Sequence, residues 1–165
     1  MHSNRIDVVE VSKGFLSCQA MDDILSGSFL TDLWGPVLHY PHMYTVQVDI
    51  NKHVEPRGPL KRFNHSCEPN ARFIYECRNV EHSDLDINDG VFWHVIALRD
   101  IKKGEDVTLD YTTTEYDMAQ GFQCKCKAKN CLGEVKGFKY LSSVQQRERI
   151  NNASPATLKC WNKRL

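Results

Sequence analysis

The sequence has no excess of charge of either sign and no long hydrophobic run. Its 21 Lys and Arg residues balance 21 Asp and Glu residues, so no overall positive field attracts nucleic acid or anionic lipid. The longest nearly apolar run, Val91 to Leu98, has eight residues and includes His94, whereas a membrane-spanning helix needs about 20. We therefore expect neither a membrane protein nor direct binding to nucleic acid.

The first residues also lack the apolar core of a secretory signal. Charged residues such as Arg5, Asp7, Glu10 and Lys13 are interspersed with apolar ones. The sequence thus predicts a soluble, intracellular protein, cytoplasmic or nuclear, that is not secreted. Seven Cys residues are present, and in a reducing compartment thiols serve metal binding or chemistry more often than disulfides.

The apolar pattern predicts a mainly β protein. Leu, Ile, Val and Phe make up about a quarter of the residues, enough to form a core, and this length suits one domain with an appendage. Alternation or buried runs predict strands at Met43 to Ile50, Phe73 to Cys77, Val91 to Leu98 and Val107 to Tyr111. The acidic stretch Glu81 to Gly90 predicts a long hairpin loop.

Helix signals are concentrated at the C-terminal end. Ser142 and Ser143 are each followed three residues later by Gln, and Ser154 is followed directly by Pro155. Both patterns are typical of helix starts. The sequence predicts two short C-terminal helices, with a boundary between residues 114 and 123, where the strand pattern stops and a cysteine cluster begins.

That cluster consists of Cys124, Cys126 and Cys131. Three soft ligands close together favour Zn²⁺, which takes four ligands in a tetrahedron. The alternative is three free thiols in a mobile basic loop. If metal is bound, the fourth ligand comes from elsewhere in the chain, and several candidates remain. These are Cys67, Cys77, Cys160 and the histidines.

A polar segment and a tyrosine are the other candidate functional features. Residues 62–70, Arg-Phe-Asn-His-Ser-Cys-Glu-Pro-Asn, have the composition of a turn, yet Cys67 within them could complete a metal site. Tyr111 ends the fourth predicted strand, and alternation alone makes it a core aromatic.

Together these segments resemble the SET-domain lysine methyltransferases. Residues 64–70, Asn-His-Ser-Cys-Glu-Pro-Asn, match the family's Asn-His-Ser-Cys-x-Pro-Asn segment at every defined position. Residues 104–111, Gly-Glu-Asp-Val-Thr-Leu-Asp-Tyr, resemble its second motif, and the spacing from Cys124 to Cys131 resembles the post-SET zinc element. Residues 114–120 and 137–141 are similar to a group of small single-domain SET proteins. The resemblance is strong from Tyr44 to Leu141 and thin before it.

The resemblance implies a β-clip-like SET fold of short strands and small sheets, with short C-terminal helices and a post-SET zinc element. It places a SET domain at residues 1–118, a post-SET zinc-binding segment at 119–141 and a helical extension at 142–165. The implied activity is transfer of methyl groups from S-adenosylmethionine to a lysine ε-amine of a protein, histone or non-histone.

The resemblance also assigns roles to particular residues. Tyr111 is the implied catalytic residue. The implied cofactor-binding residues are Gly14, Asn64, His65 and Phe122. The implied ligands of a structural Zn²⁺ are Cys67, Cys124, Cys126 and Cys131.

Three positions depart from the family pattern. The N-terminal cofactor loop usually reads Gly-x-Gly, and here Leu16 replaces the second glycine. Leu109 stands where Phe or Tyr is common, a position that influences how many methyl groups are added. Lys127 takes a place often held by glycine. The missing glycine and the small size leave one alternative, a SET-fold protein without methyltransferase activity that binds a cofactor or a partner. A second alternative is a zinc-stapled interaction domain in which the first two motifs are accidental.

Overall fold

The computed structural model describes residues 1–76 and 91–165. Within these ranges the chain forms short strands, two α-helices and four 3₁₀ helices, so the predicted mainly β class is confirmed. The predicted loop Glu81 to Gly90 and the candidate ligand Cys77 lie outside the described residues.

The strands are β1 (Ile6–Ser12), β2 (Phe15–Ala20), β3 (Phe29–Asp32), β4 (Val37–Leu38), β5 (Val46–Asp49), β6 (Lys52–Val54), β7 (Asn64–His65), β8 (Ala71–Ile74), β9 (His94–Ala97), β10 (Thr108–Leu109), β11 (Phe122–Gln123) and β12 (Glu134–Val135). The helices are α1 (Ser143–Arg149) and α2 (Pro155–Lys163), and the 3₁₀ helices are Gly58–Arg62, Tyr111–Thr113, Phe138–Tyr140 and Ile150–Asn152.

These strands build several small sheets. β1 and β2 form an antiparallel hairpin, β3-β9-β8 and β4-β6-β5 form antiparallel three-stranded sheets, and β11 pairs with β12. β7 and β10 form a parallel pair. The main core lies between the sheets and includes the fully buried Leu30, Val54, Val95 and Val107.

The four predicted strands are present but shorter than the sequence pattern indicates. Residues 43–45 belong to a turn in which the backbone N–H of Thr45 donates to the carbonyl of His42, so β5 begins only at Val46. β10 ends at Leu109, because the Asp110 side chain caps a 3₁₀ helix. Tyr111 therefore begins a helix and does not lie in the strand. The four strands before residue 43 were not predicted.

Both C-terminal helices begin where the sequence predicts. Ser142 caps α1 in a capping box with Gln145, and Ser154 caps α2 with Pro155 in its first turn. A second apolar cluster joins the helices to the body, with the rings of Phe138 and Trp161 5.7 Å apart. Neither helix of the described ranges is long and apolar enough to cross a bilayer. The predicted boundaries 1–118, 119–141 and 142–165 stay predictions.

Candidate active site and thiol cluster

A cavity of about 820 Å³ lies against the β1–β2 turn, β7 and the 3₁₀ helix that follows β10. This volume is within the range of small-molecule sites. Every residue that the sequence assigned to catalysis or cofactor binding lines it, although these residues come from four separate segments. They are Gly14, Asn64, His65, Tyr111 and Phe122.

The parallel pairing of β7 with β10 brings the two main motifs together. Asn64 lies opposite Thr108, and His65 lies opposite Leu109. The buried Asn70 side chain strengthens this contact, because its Oδ1 accepts from the Thr108 backbone N–H at 2.9 Å and its Nδ2 donates to the Asp106 carbonyl at 2.7 Å. The two ends of the first motif thus hold the strand that leads to Tyr111.

Tyr111 has its hydroxyl fixed at the wall of the cavity. The hydroxyl donates to the Phe63 carbonyl over 2.6 Å. Burial raises the pKa of Tyr111 above its ordinary value, and the nearby charge of Glu115 adds to the increase. The side chain is therefore a neutral phenol at physiological pH, with oxygen lone pairs left to accept further hydrogen bonds.

His65 lies between Tyr111 and the cysteine cluster. Its Nδ1 accepts from the Tyr111 backbone N–H at 3.1 Å, and its Nε2 is 3.3 Å from the Cys67 sulfur. Burial lowers the pKa of His65 to about 4, so the ring is neutral. Because Nδ1 accepts, the proton is on Nε2 and faces the sulfur. The Phe122 ring packs edge-on against the imidazole, with centroids 5.6 Å apart.

Gly14 lies in the β1–β2 turn with φ of +77°, a backbone conformation that glycine adopts without strain. Its N–H donates to the Glu10 carboxylate at 2.7 Å. Leu16, at the position of the missing second glycine, also lines the cavity. Asn64, from the opposite wall, donates through Nδ2 to the Ser17 hydroxyl at 3.1 Å. This contact anchors β7 to the hairpin that carries Gly14.

The sulfurs of Cys67, Cys124, Cys126 and Cys131 lie within 4.8 Å of one another. The distance from the Cys67 Sγ to the Cys124 Sγ is 3.8 Å. Four thiolates at 2.3 Å from a tetrahedral Zn²⁺ are about 3.8 Å apart, so the donor set fits this ion. Of the other candidate ligands, Cys160 lies elsewhere and accepts from the Gln47 side-chain amide at 3.5 Å.

Three buried residues at the site escaped sequence analysis as functional candidates. Asp110 accepts from the Arg149 Nε at 2.8 Å. Glu115 lines the cavity, and burial raises its pKa to about 7. Asp110 belongs to the second motif, at residues 104–111, but no role was predicted for it. Charged residues ordinarily indicate solvated positions, so no sequence signal distinguished Glu115 or Arg149.

Comparison with known proteins agrees with this geometry. The SET domain family profile matches residues 5–112. The H3 lysine-36 specific histone-lysine N-methyltransferase of Saccharomyces cerevisiae is 30% identical over 76% of this chain, but the chain covers only 18% of that protein. Methyltransferase flvH of Aspergillus flavus is 31% identical, over 91% of this chain and 79% of its own length.

A solved structure shares the fold. The crystal structure of KRYPTONITE in complex with mCHG DNA and SAH superposes with a TM-score of 0.60 and 21% identity, over 78% of this chain and 28% of that one. The chain spans less than a fifth of the length of the first histone methyltransferases it matches. The match over residues 5–112 includes both motifs, at residues 64–70 and 104–111. It therefore excludes the alternative that these motifs are accidental and that the chain is a zinc-stapled interaction domain. The chain belongs to the SET-domain family.

Proposed function

We propose that this protein transfers methyl groups from S-adenosylmethionine to a lysine ε-amine of a protein substrate. The single observation that carries the proposal is the common cavity of Gly14, Asn64, His65, Tyr111 and Phe122, residues from four segments of the chain. Names of relatives add support, since both the yeast relative and flvH are methyltransferases.

The cavity suits a cofactor of this size and chemistry. Its volume of about 820 Å³ exceeds what a small metabolite needs. Its walls offer the Asn64 amide and backbone groups for polar contacts, and Leu16 and Phe122 for apolar ones. When bound, S-adenosylmethionine would supply a methyl group on a positively charged sulfur. An unprotonated lysine amine would attack this methyl carbon in line, so that the N–C bond forms as the C–S bond breaks, a neutral thioether leaves, and the methylated amine releases a proton to solvent.

Tyr111 orients the amine. Its hydroxyl proton is engaged by the Phe63 carbonyl, so the phenol oxygen is an acceptor for an N–H of the incoming lysine. Because burial raises its pKa, Tyr111 does not act as a general base. Holding the amine in line with the methyl group lowers the activation barrier by several kcal/mol, because the translational and rotational entropy is lost on binding, before the reaction.

The lysine must lose its proton before it can react. Leu109, Phe73 and Met118 give the cavity apolar walls, and desolvation of an ammonium lowers its pKa. Entry into this cavity therefore favours the neutral amine. The buried position of Leu109 beside His65 in the β7–β10 pair keeps water from this part of the wall.

We also propose a structural Zn²⁺ bound by Cys67, Cys124, Cys126 and Cys131. Burial raises the pKa of the Cys67 thiol, so a cation is needed to keep it as a thiolate. Four thiolates leave no open position for catalysis. The ion would link the segment after β7 to the segment after β11, and hence hold the packed rings of His65 and Phe122 together at the cavity wall.

A histone is the first substrate to test. The yeast relative is named for H3 lysine 36, and a KRYPTONITE structure with 20% identity contains an H3(1-15) peptide. The proposal also includes a non-histone protein substrate. We further propose a nuclear or cytoplasmic location and no direct binding to nucleic acid.

The decisive experiment uses zinc-loaded protein with methyl-labelled S-adenosylmethionine. Calorimetry first measures cofactor binding, and a panel of histones and cell lysate is then labelled and analysed for methyl-lysine by mass spectrometry. Label on lysine that depends on Tyr111 supports the proposal. Folded protein that binds no cofactor at millimolar concentration refutes it, and cofactor binding without any methyl-lysine favours a SET-fold binding module.

A further inference from the structure

The carboxylate of Asp110 is the point from which the 3₁₀ helix of Tyr111 starts. Its Oδ1 accepts from the backbone N–H of Thr112 at 3.0 Å and from the Thr112 hydroxyl at 2.7 Å. The same oxygen is 3.8 Å from the Nδ1 of His65, which accepts the Tyr111 N–H. This one carboxylate therefore fixes the backbone at Thr112, the residue that follows Tyr111.

The other oxygen of Asp110 is held by the C-terminal helical extension. Arg149, in the last turn of α1, donates from Nε to Oδ2 at 2.8 Å. Both side chains are buried, with exposed fractions of 8% for Arg149 and 7% for Asp110. Arg149 is itself fixed, because its Nη1 also donates to the Gln145 carbonyl at 3.4 Å. A buried pair of this kind is screened little by solvent, so its geometry is well defined.

The extension also contacts the far end of the same 3₁₀ helix. The backbone N–H of Ser154, which caps α2, donates to the Thr113 carbonyl at 2.7 Å. Nearby, the Tyr75 hydroxyl donates to the Asn152 carbonyl at 2.8 Å. The helix Tyr111–Thr113 is thus held at its first turn by Arg149 and at its last residue by Ser154.

We propose that Arg149 is a positioning residue for Tyr111, and that the extension at residues 142–165 is a working part of the active site. By fixing the Asp110 carboxylate, Arg149 determines where the 3₁₀ helix starts and how the Tyr111 hydroxyl is oriented at the cavity. This inference rests on the proposed lysine methyltransferase activity. Arg149 is not among the residues that line the cavity, so its effect passes through Asp110.

The test compares Arg149→Gln with Arg149→Lys and with Arg147→Gln, a matched change of an exposed arginine in the same helix. In Arg149→Gln we expect kcat to fall at least about tenfold, with KM for cofactor and substrate within about twofold of wild type. Arg149→Lys, whose ammonium can still meet Oδ2, recovers part of kcat. Arg147→Gln behaves as wild type.

Hydrogen exchange gives a readout that does not need turnover. The amides of residues 111–114 should exchange faster in Arg149→Gln, while those of α2 keep their protection. If Arg149→Gln does not fold, Asp110→Asn and the double variant Asp110→Asn with Arg149→Gln take its place. The double variant removes both charges of the buried pair, so neither is left without its partner. Equal kcat in these two variants, both below wild type, supports the coupling.

Unchanged kcat in folded Arg149→Gln overturns the proposal. So does a kcat that falls equally in Arg149→Lys and Arg149→Gln together with a rise in KM, because that pattern reports general loss of structure. Wild-type exchange at residues 111–114 in Arg149→Gln overturns it whether or not a substrate is known. Failure of wild-type protein to methylate lysine instead refutes the proposed function, and the exchange data still decide the role of Arg149 in fixing the helix.

Discussion

The sulfurs of Cys67 and Cys124 lie 3.8 Å apart, although 57 positions separate the two residues in the chain. Cys67 comes two residues after His65, and Cys124 comes two residues after Phe122. A metal ion shared by these sulfurs would therefore connect His65 and Phe122, whose rings pack edge-on at the wall of the cavity. Loss of the ion should affect both stability and the shape of the site.

Cys67→Ser tests this connection. We expect the variant to bind well below one equivalent of zinc and to lose several kcal/mol of stability, because one ligand in four is removed. Metal analysis and thermal unfolding measure the two effects. Cys160→Ser is the control and should keep its zinc, since Cys160 lies outside the cluster. A full equivalent of zinc in Cys67→Ser would show that another residue of the chain is the fourth ligand.

Tyr111→Phe removes the hydroxyl that faces the cavity while leaving the ring. Turnover should fall by about 10²-fold or more, because in the proposed mechanism the phenol oxygen orients the amine in the transition state. The hydrogen bond to the Phe63 carbonyl is lost as well, so thermal unfolding must show that the variant folds. Tyr140→Phe, at an exposed tyrosine, should retain wild-type turnover. Equal rates for Tyr111→Phe and wild type would remove Tyr111 from the mechanism.

The leucine at position 109 leads us to expect more than one methyl group per lysine. It is buried, with 6% of its surface exposed, and lines the cavity. A leucine has no hydroxyl to hold a water molecule, so a methylated amine meets no fixed water at this wall and can react again. Mass spectrometry of a substrate at saturating cofactor should show products beyond monomethyl-lysine, and Leu109→Tyr should raise the monomethyl share. A wild-type reaction that stops at one methyl group would contradict this.

Glu115 predicts a pH dependence of stability. Burial raises its pKa from the ordinary 4.5 to about 7, so the folded state favours the protonated acid. The contribution of Glu115 to the free energy of unfolding is complete below pH 4.5. It falls by on the order of 3 kcal/mol as the pH rises to about 7. Glu115→Gln keeps an oxygen for the Gln47 backbone N–H, which donates to Glu115 at 2.9 Å, and lacks this loss.

Denaturant unfolding of wild type and Glu115→Gln at pH values between about 5 and 8 measures the difference. The variant should gain stability relative to wild type as the pH rises. His65, whose pKa burial lowers to about 4, contributes in the opposite direction, but equally in both proteins. A constant difference across this range would show that Glu115 has the same protonation in the folded and unfolded states.

Lys127→Gly should stabilise the cysteine loop. Lys127 has φ of +60°, which costs a residue with a side chain about 1 kcal/mol and glycine little. Lys125→Gly, at an exposed position in the same loop without positive φ, should not stabilise the protein. Thermal unfolding of zinc-loaded proteins gives the comparison, and a lower unfolding temperature for Lys127→Gly would count against the strained conformation.

Much of the site was predictable because its groups occur in short, ordered segments. The residues at 64–67, at 111 and at 124–131 carry their chemistry in side-chain type and spacing, and the structure brings them to one cavity and one cluster. Helix starts at Ser142 and Ser154 were equally local, since capping depends on neighbouring residues. β3 escaped prediction because it pairs with the distant β9. β1 pairs locally with β2, but most of its residues are exposed or half-buried, so it lacks a buried apolar face that a pattern could reveal.

The sequence by itself determined the mainly β class, the two C-terminal helices and the residue types found at the candidate active site and in the cysteine cluster, because each depends on local pattern. Only the tertiary structure brought the Cys67 sulfur to those of Cys124, Cys126 and Cys131 and buried Glu115 beside the cavity. It alone placed Arg149 against Asp110. Contacts of this kind depend on which distant segments pack together, and burial then changes the energy of every charge they enclose.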